Sequence, residues 1–251
     1  MKYIQPFTVI HEDENIIAVN KAPGFSTGGD RWDKTEERLD KLVAGIRPGI
    51  KIFTVHRIDR ETSGLVVFAK NEKAHRSLSL AFEKAEIKKR YIAVVCGRPP
   101  WKETACELPL VPDGNKKHMT IIDKFRGKKS LTRFTVLGSA GGFSVLEAVP
   151  ETGRTHQIRV HAAALGFPVA CDNLYGKDTS VLLSGIKKNY RGDLFQEKPL
   201  LARLGLHALE LKLGGWDEGQ GTSLSLFAPL PKDMAVLIKQ IEKTASLTIF
   251  K

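Results

Sequence analysis

The chain has 251 residues, 42% of them hydrophobic, and 39 lysines and arginines against 28 acids give it a formal charge of +11, which suits a polyanionic partner. No apolar stretch approaches bilayer-spanning length, and the amino-terminal MKYIQPFTVIHEDEN lacks a signal peptide's apolar core, so the cytoplasm is the expected compartment. Cys96, Cys106 and Cys171 are odd in number and show no CxxC spacing, which argues against a disulfide framework or a zinc site.

In chain order, Phe7 to Ile10 and Ile16 to Asn20 read as strands around an acidic turn, closed by Lys21-Ala22-Pro23-Gly24. The segment His56 to Gly64, HRIDRETSG, leads into a buried strand at Leu65 to Ala69. Asn71 is placed to cap a helix reaching about Lys84, with Ala74, Leu78, Phe82 and Ala85 as its apolar stripe. Lys89 to Val95 alternates Tyr91, Ala93 and Val95 on one face with Arg90, Ile92 and Val94 on the other. Strands follow at Thr132 to Leu137 and Phe143 to Val149. A helix from about His156 to Leu165 stops at Gly166, a residue suited to a left-handed cap. Strands near Leu206 to Leu213 and Ser223 to Phe227 precede Pro229, Pro231 and a last helix from about Lys232 to Lys243. Many strands interrupted by a few helices argue for an α+β fold with a mixed or largely antiparallel sheet. No linker and no fixed-period repeat divides the chain, so one domain over residues 1–251 is expected.

Two segments carry the chemistry. In the first, Asp59 lies between Arg57 and Arg60. Neighbouring positive charge favours an ionised carboxylate, able to act as nucleophile or general base, although an Asp between arginines is by itself more often an ion-paired structural residue. The second is ETGRTHQIRVH at 151–161. HRIDRETSGL closely resembles the HRLDxxTSG signature of the RluA-type RNA pseudouridine synthases, and residues 151–161 resemble that family's other signature, in the same order. The resemblance runs over nearly the whole chain, through VNKAPG (19–24), KKRYIAVVCG (88–97), FPVACDNLYG (167–176), LHALEL (206–211) and APLPKDM (228–234). Several motifs in one order are specific where a lone TSG or GRTH would be weak.

The resemblance implies a pseudouridine synthase catalytic domain, a bent mixed sheet with flanking helices and an active-site cleft across it. The reaction breaks the bond from C1′ to N1, rotates the uracil and joins C5 to C1′. It changes no oxidation state and takes no group from outside, so neither cofactor nor metal is required. Asp59 is the catalytic carboxylate the resemblance supplies, acting at the sugar C1′ or at uracil C6, or as a base; the residues do not choose among these. Arg154 is its counter-ion, holding Asp59 ionised and oriented. Tyr91 is the family's active-site tyrosine, able to stack on uracil and to reach a proton at C5; without the motif it reads as a core strand residue. Ile158 falls where the family sets an aliphatic residue against the base, and periodicity alone makes it a buried helix residue. The target base must leave its stack, and Arg57 matches the arginine inserted in its place, with a phosphate clamp as the competing role. Arg60, Lys89 and Arg90 are expected to meet phosphates or close ion pairs. His56 is expected to hold the loop, and Ser63 lacks a nucleophile's GxSxG context.

Three other readings meet objections. Asp59 and Glu61 could mimic a glycosidase pair, but Glu61 occupies a variable position of the motif. A metal-dependent nuclease would suit the basic charge, with His56, His156 and His161 near the motifs, but His156 and His161 are five apart, a spacing that does not align them on one helix face. A non-catalytic RNA-binding module would not need Asp59, Tyr91 and Arg154 together. The expected partner is structured RNA, ribosomal RNA or tRNA, bound by a monomer without a membrane. Only about six residues precede the first matching strand, so the amino-terminal ribosomal-protein-like domain of many relatives is expected to be absent. Target choice then falls to the Trp101 to Arg126 segment and to Lys187-Lys188-Asn189-Tyr190-Arg191. Between Asp113 and Arg133, Lys116, Lys117, Lys124, Arg126, Lys128, Lys129 and Arg133 stand against two acids, a strip suited to phosphates. Cys171 replaces a usual glycine, and Gly214-Gly215-Trp216 a usual His-Pro.

Overall fold

Asp13 turns the first hairpin: its Oδ1 accepts the N–H groups of Asn15 and Ile16, both at 2.8 Å, between β1 (Phe7–Glu12) and β2 (Ile16–Lys21). This is a computed structural model, describing residues 5–29, 37–115, 119–177, 179–214, 216 and 223–250. The chain divides into two compact units, residues 1–90 with 207–229, and residues 91–206 with 230–251.

In the first unit β4 (Ser63–Ala69) is central and buried at every residue, as its apolar run requires. β2 pairs with one edge antiparallel, Ile17 opposite Phe68 and Lys21 opposite Gly64. The other edge takes β3 (Phe53–Thr54) antiparallel, and β11 (Leu206–Leu213) in parallel through His207 and Ala208, with β12 (Leu224–Phe227) on β11. α2 (Glu72–Glu83) starts where predicted: Asn71 Oδ1 accepts the N–H of Ala74 at 2.9 Å. It buries Ala74, Leu78 and Ala81 in one cluster with Leu65, Val67 and Ala69; full burial of a side chain such as Leu78 is worth about 2 kcal/mol. The expected stripe is corrected at its end. Ala85 lies past the helix at φ +58°, and Ala81 takes the inward place, because the helix stops at Lys84. α1 (Leu39–Gly45) was not foreseen. Its first N–H groups are taken by the carbonyls of Ser26 and Thr27, at 2.9 and 3.3 Å.

The second unit is antiparallel: β5 (Lys88–Cys96), whose first three residues belong to the first unit, pairs with β10 (Phe143–Pro150). β10 pairs with β9 (Thr132–Ala140), and β9 with β6 (Glu103–Cys106). A small pair, β7 (Leu110–Val111) and β8 (Ile121–Ile122), stands apart. α3 (Gln157–Ala164) ends at Gly166, φ +88°, as its glycine predicts. α4 (Lys232–Ala245) packs on β9 and β10 through Met234, Leu237, Ile238 and Ile241, the i, i+3, i+4, i+7 spacing of one helix face. Mixed and antiparallel strands with four helices among the described residues make the α+β class expected. No helix among the described residues is long and apolar enough to cross a membrane.

Candidate active site

The first signature is an extended segment and a turn held from several directions. His56 is partly buried; its Nε2 accepts the N–H of Val67 at 2.9 Å, and its ring stacks on Phe82 with centroids 4.4 Å apart. Burial, reinforced by the charge of Lys89, pushes its pKa down to about 3, so the ring is neutral at working pH. Arg57 is exposed. Next, the Thr27 hydroxyl donates to the carbonyl of Ile58 at 3.0 Å and accepts its N–H at 3.3 Å. Beyond Asp59, the carbonyl of Arg60 accepts from the buried Lys21 Nζ at 2.8 Å and from the N–H of Gly24 at 2.9 Å. Arg60 Nε returns a bond to the Gly24 carbonyl at 3.1 Å, and the N–H of Thr62 closes the turn on the Asp59 carbonyl at 3.1 Å. Asp59 itself is partly buried.

The Ser-Gly that follows is architectural. Ser63 is buried and meets His207 Nδ1 at 3.0 Å, while His207 Nε2 donates to the carbonyl of Ala228 at 3.1 Å, so the hydroxyl faces a fixed acceptor and not a substrate. Gly64 has φ +116°, and a Cβ there would lie 2.2 Å from the Ala208 carbonyl oxygen; only glycine lets β11 come so close. Of the other candidates in this unit, Arg90 pairs with Glu210 at 2.7 Å, the ion-pair alternative of its two expected roles. Lys89 is partly buried.

In the second unit, Gln157 organises the second signature. Its buried Oε1 accepts from the Thr152 hydroxyl (2.6 Å) and the Arg154 N–H (3.1 Å), and its Nε2 donates to the Leu131 carbonyl and Thr132 Oγ1, both at 2.9 Å. One amide thus uses all four of its bonds to set the turn that carries Arg154. The exposed Arg154 side chain sends Nε to the carbonyl of Lys129 at 3.2 Å. His156, at φ +53°, contacts Tyr175 Oη through Nδ1 at 2.8 Å. His161 instead turns inward to Thr132 Oγ1 (2.9 Å) and the Leu108 carbonyl (3.0 Å), so the two histidines serve separate networks. Arg159, buried, makes a two-pronged pair with Asp172, both bonds 2.8 Å. Burial acts to raise the Asp172 pKa, but bonds from Arg159 and from the N–H groups of Leu174 and Tyr175 win, and its carboxyl stays below the usual range.

Tyr91 and Ile158 are brought together: both belong to the apolar cluster built on Ala93, Val95, Phe134 and Ala162. The order of these parts along the chain, an Asp turn, a strand tyrosine and an Arg turn opening a helix, matches a known family. The model of the RNA pseudouridylate synthases fits residues 15–164. The chain belongs to the RNA pseudouridylate synthase family. Within it the chain is of the RluA type and is an isomerase converting uridine to pseudouridine. It is 32% identical to ribosomal large subunit pseudouridine synthase D of Zymomonas mobilis, over 94% of this chain and 73% of that protein. Its fold is that of human RNA pseudouridylate synthase domain containing 4 (TM-score 0.71, 20% identity, 93% and 92% of the two chains covered). Human RNA pseudouridylate synthase domain containing 1 is also similar, with a TM-score of 0.67 and 26% identity over 92% and 87% of the two chains.

Sequence reading of this pseudouridine synthase passed over Thr27, Lys21, Gln157 and His207. Lys21 and His207 lie in segments quoted for the resemblance and Gln157 in the second signature, so membership in a motif was the available signal; Thr27 had none. Both departures from the family pattern are visible. Cys171 sits at φ +59°, the region that favours the glycine it replaces, and Trp216 is buried in the core of the first unit; Gly215 lies outside the described residues. Lys116 and Lys117 of the basic strip are likewise outside them. Lys124, Lys128 and Lys129 are exposed, while Arg126 pairs with Asp123 and Arg133 with Glu151, each at 2.7 Å.

Proposed function

We propose that this pseudouridine synthase acts on ribosomal RNA, with Asp59 as the catalytic carboxylate and Tyr91 and Arg154 serving the same uridine. The observation that carries the assignment of Asp59 is the clamping of its two neighbours, Ile58 and Arg60, by residues 21–27, which presets a carboxylate in a turn that the family signature marks. Preorganisation of this kind is what a reacting group needs and a surface ion pair does not. Ile158, beside Tyr91 in one apolar cluster, supplies a hydrophobic wall for the base. Arg57, exposed two residues before Asp59, fills the stack from which the uridine leaves, and the exposed Arg60 and partly buried Lys89 meet phosphates. Ribosomal RNA is favoured because the Zymomonas mobilis relative is named for the large ribosomal subunit. The family model crosses from one compact unit into the other, which supports one catalytic domain, and we read it as a cytoplasmic monomer.

The test is release of tritium from C5 of labelled uridine in ribosomal RNA and tRNA transcripts, wild type beside Asp59→Ala. Wild type releases tritium from ribosomal RNA, and Asp59→Ala releases none while binding RNA within a few-fold. Equal loss of binding and turnover would move Asp59 from chemistry to folding; release from tRNA alone would reassign the substrate.

A further inference from the structure

The turn after β8 is closed by hydrogen bonds to Asp123, and it presents an aromatic ring wholly to solvent. Asp123 Oδ1 accepts the N–H groups of Phe125 and Arg126, both at 2.9 Å, Oδ2 takes Arg126 Nε at 2.7 Å, and the Asp123 carbonyl accepts the N–H of Gly127 at 2.9 Å. Gly127 is packed so closely that a Cβ would lie 2.3 Å from that carbonyl oxygen. On leaving the turn, Lys128 exchanges both backbone bonds with Leu110, at 2.9 and 3.0 Å. At its tip Phe125 is 99% exposed, between the exposed side chains of Lys124 and Arg126 and ahead of Lys128 and Lys129. The same strip reaches the second signature, since the Lys129 carbonyl holds the Arg154 guanidinium.

Single exposed apolar side chains are ordinary on protein surfaces. Phe195, 97% exposed, is such a case: its immediate neighbours are Leu194 and Gln196, with Asp193 and Glu197 on either side of them. Both aromatics stand on turns whose aspartate accepts their N–H, and Phe125 differs in its immediate neighbours, Lys124 and Arg126, with Lys128 and Lys129 following. An aromatic face among cations that track a backbone is how proteins hold unpaired bases without reading their sequence. We propose that Phe125 stacks on an unpaired nucleobase of the RNA substrate while Lys124, Lys128 and Lys129 meet its phosphates. The proposal rests on the pseudouridine synthase reading and adds to it a contact that selects looped over fully paired RNA.

The experiment compares wild type, Phe125→Ala, Phe125→Trp and Phe195→Ala for binding to a fluorescently labelled stem-loop and to its fully paired counterpart, with tritium release from the stem-loop measured in parallel. Phe125→Ala is expected to weaken stem-loop binding roughly 5- to 100-fold and raise KM, with duplex binding and Tm unchanged. The salt slope should also hold, because no charge is removed. Phe125→Trp should restore binding, and Phe195→Ala should match wild type. Unchanged stem-loop binding by Phe125→Ala, or equal losses on duplex and in Phe195→Ala, overturns the stacking role. Absence of tritium release by wild type would instead sink the enzymatic reading, while the binding comparison still decides Phe125.

Discussion

The Thr27 hydroxyl bonds both backbone polar groups of Ile58, so one side chain sets the residue that immediately precedes Asp59. Thr27 is 2% exposed, and its own carbonyl accepts the N–H of Asp40 in the first turn of α1. The turn carrying Asp59 is thereby tied to a helix, and its backbone is held by contacts within the fold.

Replacing Thr27 by Val keeps the shape and removes both bonds, leaving two buried backbone groups of Ile58 unpaired. We expect a loss of about 1–3 kcal/mol in urea denaturation and a fall in kcat with KM nearly unchanged. Thr27→Ser should recover most of both. A full-rate Thr27→Val enzyme would show that Asp59 is placed by other contacts.

Gln157→Leu has the parallel effect on the second signature. The N–H of Arg154 and the Thr152 hydroxyl lose an acceptor, and the Leu131 carbonyl keeps only the Glu151 N–H, which should cost about 1–3 kcal/mol. Turnover measured where the variant is fully folded should still be reduced, since the Arg154 turn is no longer held. Wild-type kcat in folded Gln157→Leu would remove the amide from any positioning role.

Gly64→Ala meets two obstacles at once, a φ of +116° and a carbonyl 2.2 Å from the new Cβ. The parallel pairing of β4 with β11 cannot form without a backbone shift, and we expect destabilisation beyond about 3 kcal/mol. Thermal unfolding followed by circular dichroism reads this directly. A near-native Tm would mean that β11 moves aside at little cost.

Acid should weaken the fold through His56. Its pKa falls from 6.5 in the unfolded chain to about 3 in the native one, so between these values the unfolded chain binds more protons. Stability is therefore level above pH 6.5, declines as pH drops through that value, and levels again near pH 3. His161, lowered chiefly by burial, adds to the decline with the same sign, whereas Glu12, lowered from 4.5 by bonds from Arg47 and Lys70, adds its own loss only below 4.5. Between pH 5 and 6.5 the His56→Gln variant should show a stability slope shallower by about one proton or less. Titration of the His56 ring near pH 6.5 in the native protein, followed by NMR, would contradict this.

Periodicity made much of the fold legible. The β1, β2, β4, β9, β10 and β11 segments alternate or run apolar, and α2 and α4 carry apolar residues at helical spacing. What escaped was short or aperiodic: α1 of seven residues, β6 of four, and β3, β7 and β8 of two each, which exist because neighbours accept their bonds. Ala85 was misplaced because apolar spacing continues past Lys84 while the helix does not.

The site divides the same way. Asp59, Tyr91, Arg154, Arg57 and Ile158 were proposed from motifs, because residue types at fixed short spacing survive in a linear string. Thr27 acts on a residue 31 positions away and Ser63 finds His207 across 144, distances over which a sequence carries no local pattern. The chain by itself determined its family, its reaction and the order of its longer strands and of three helices. Only the tertiary structure decided which buried hydroxyls, amides and imidazoles hold the two signature turns, because buried polar groups must find partners and those partners are fixed by packing.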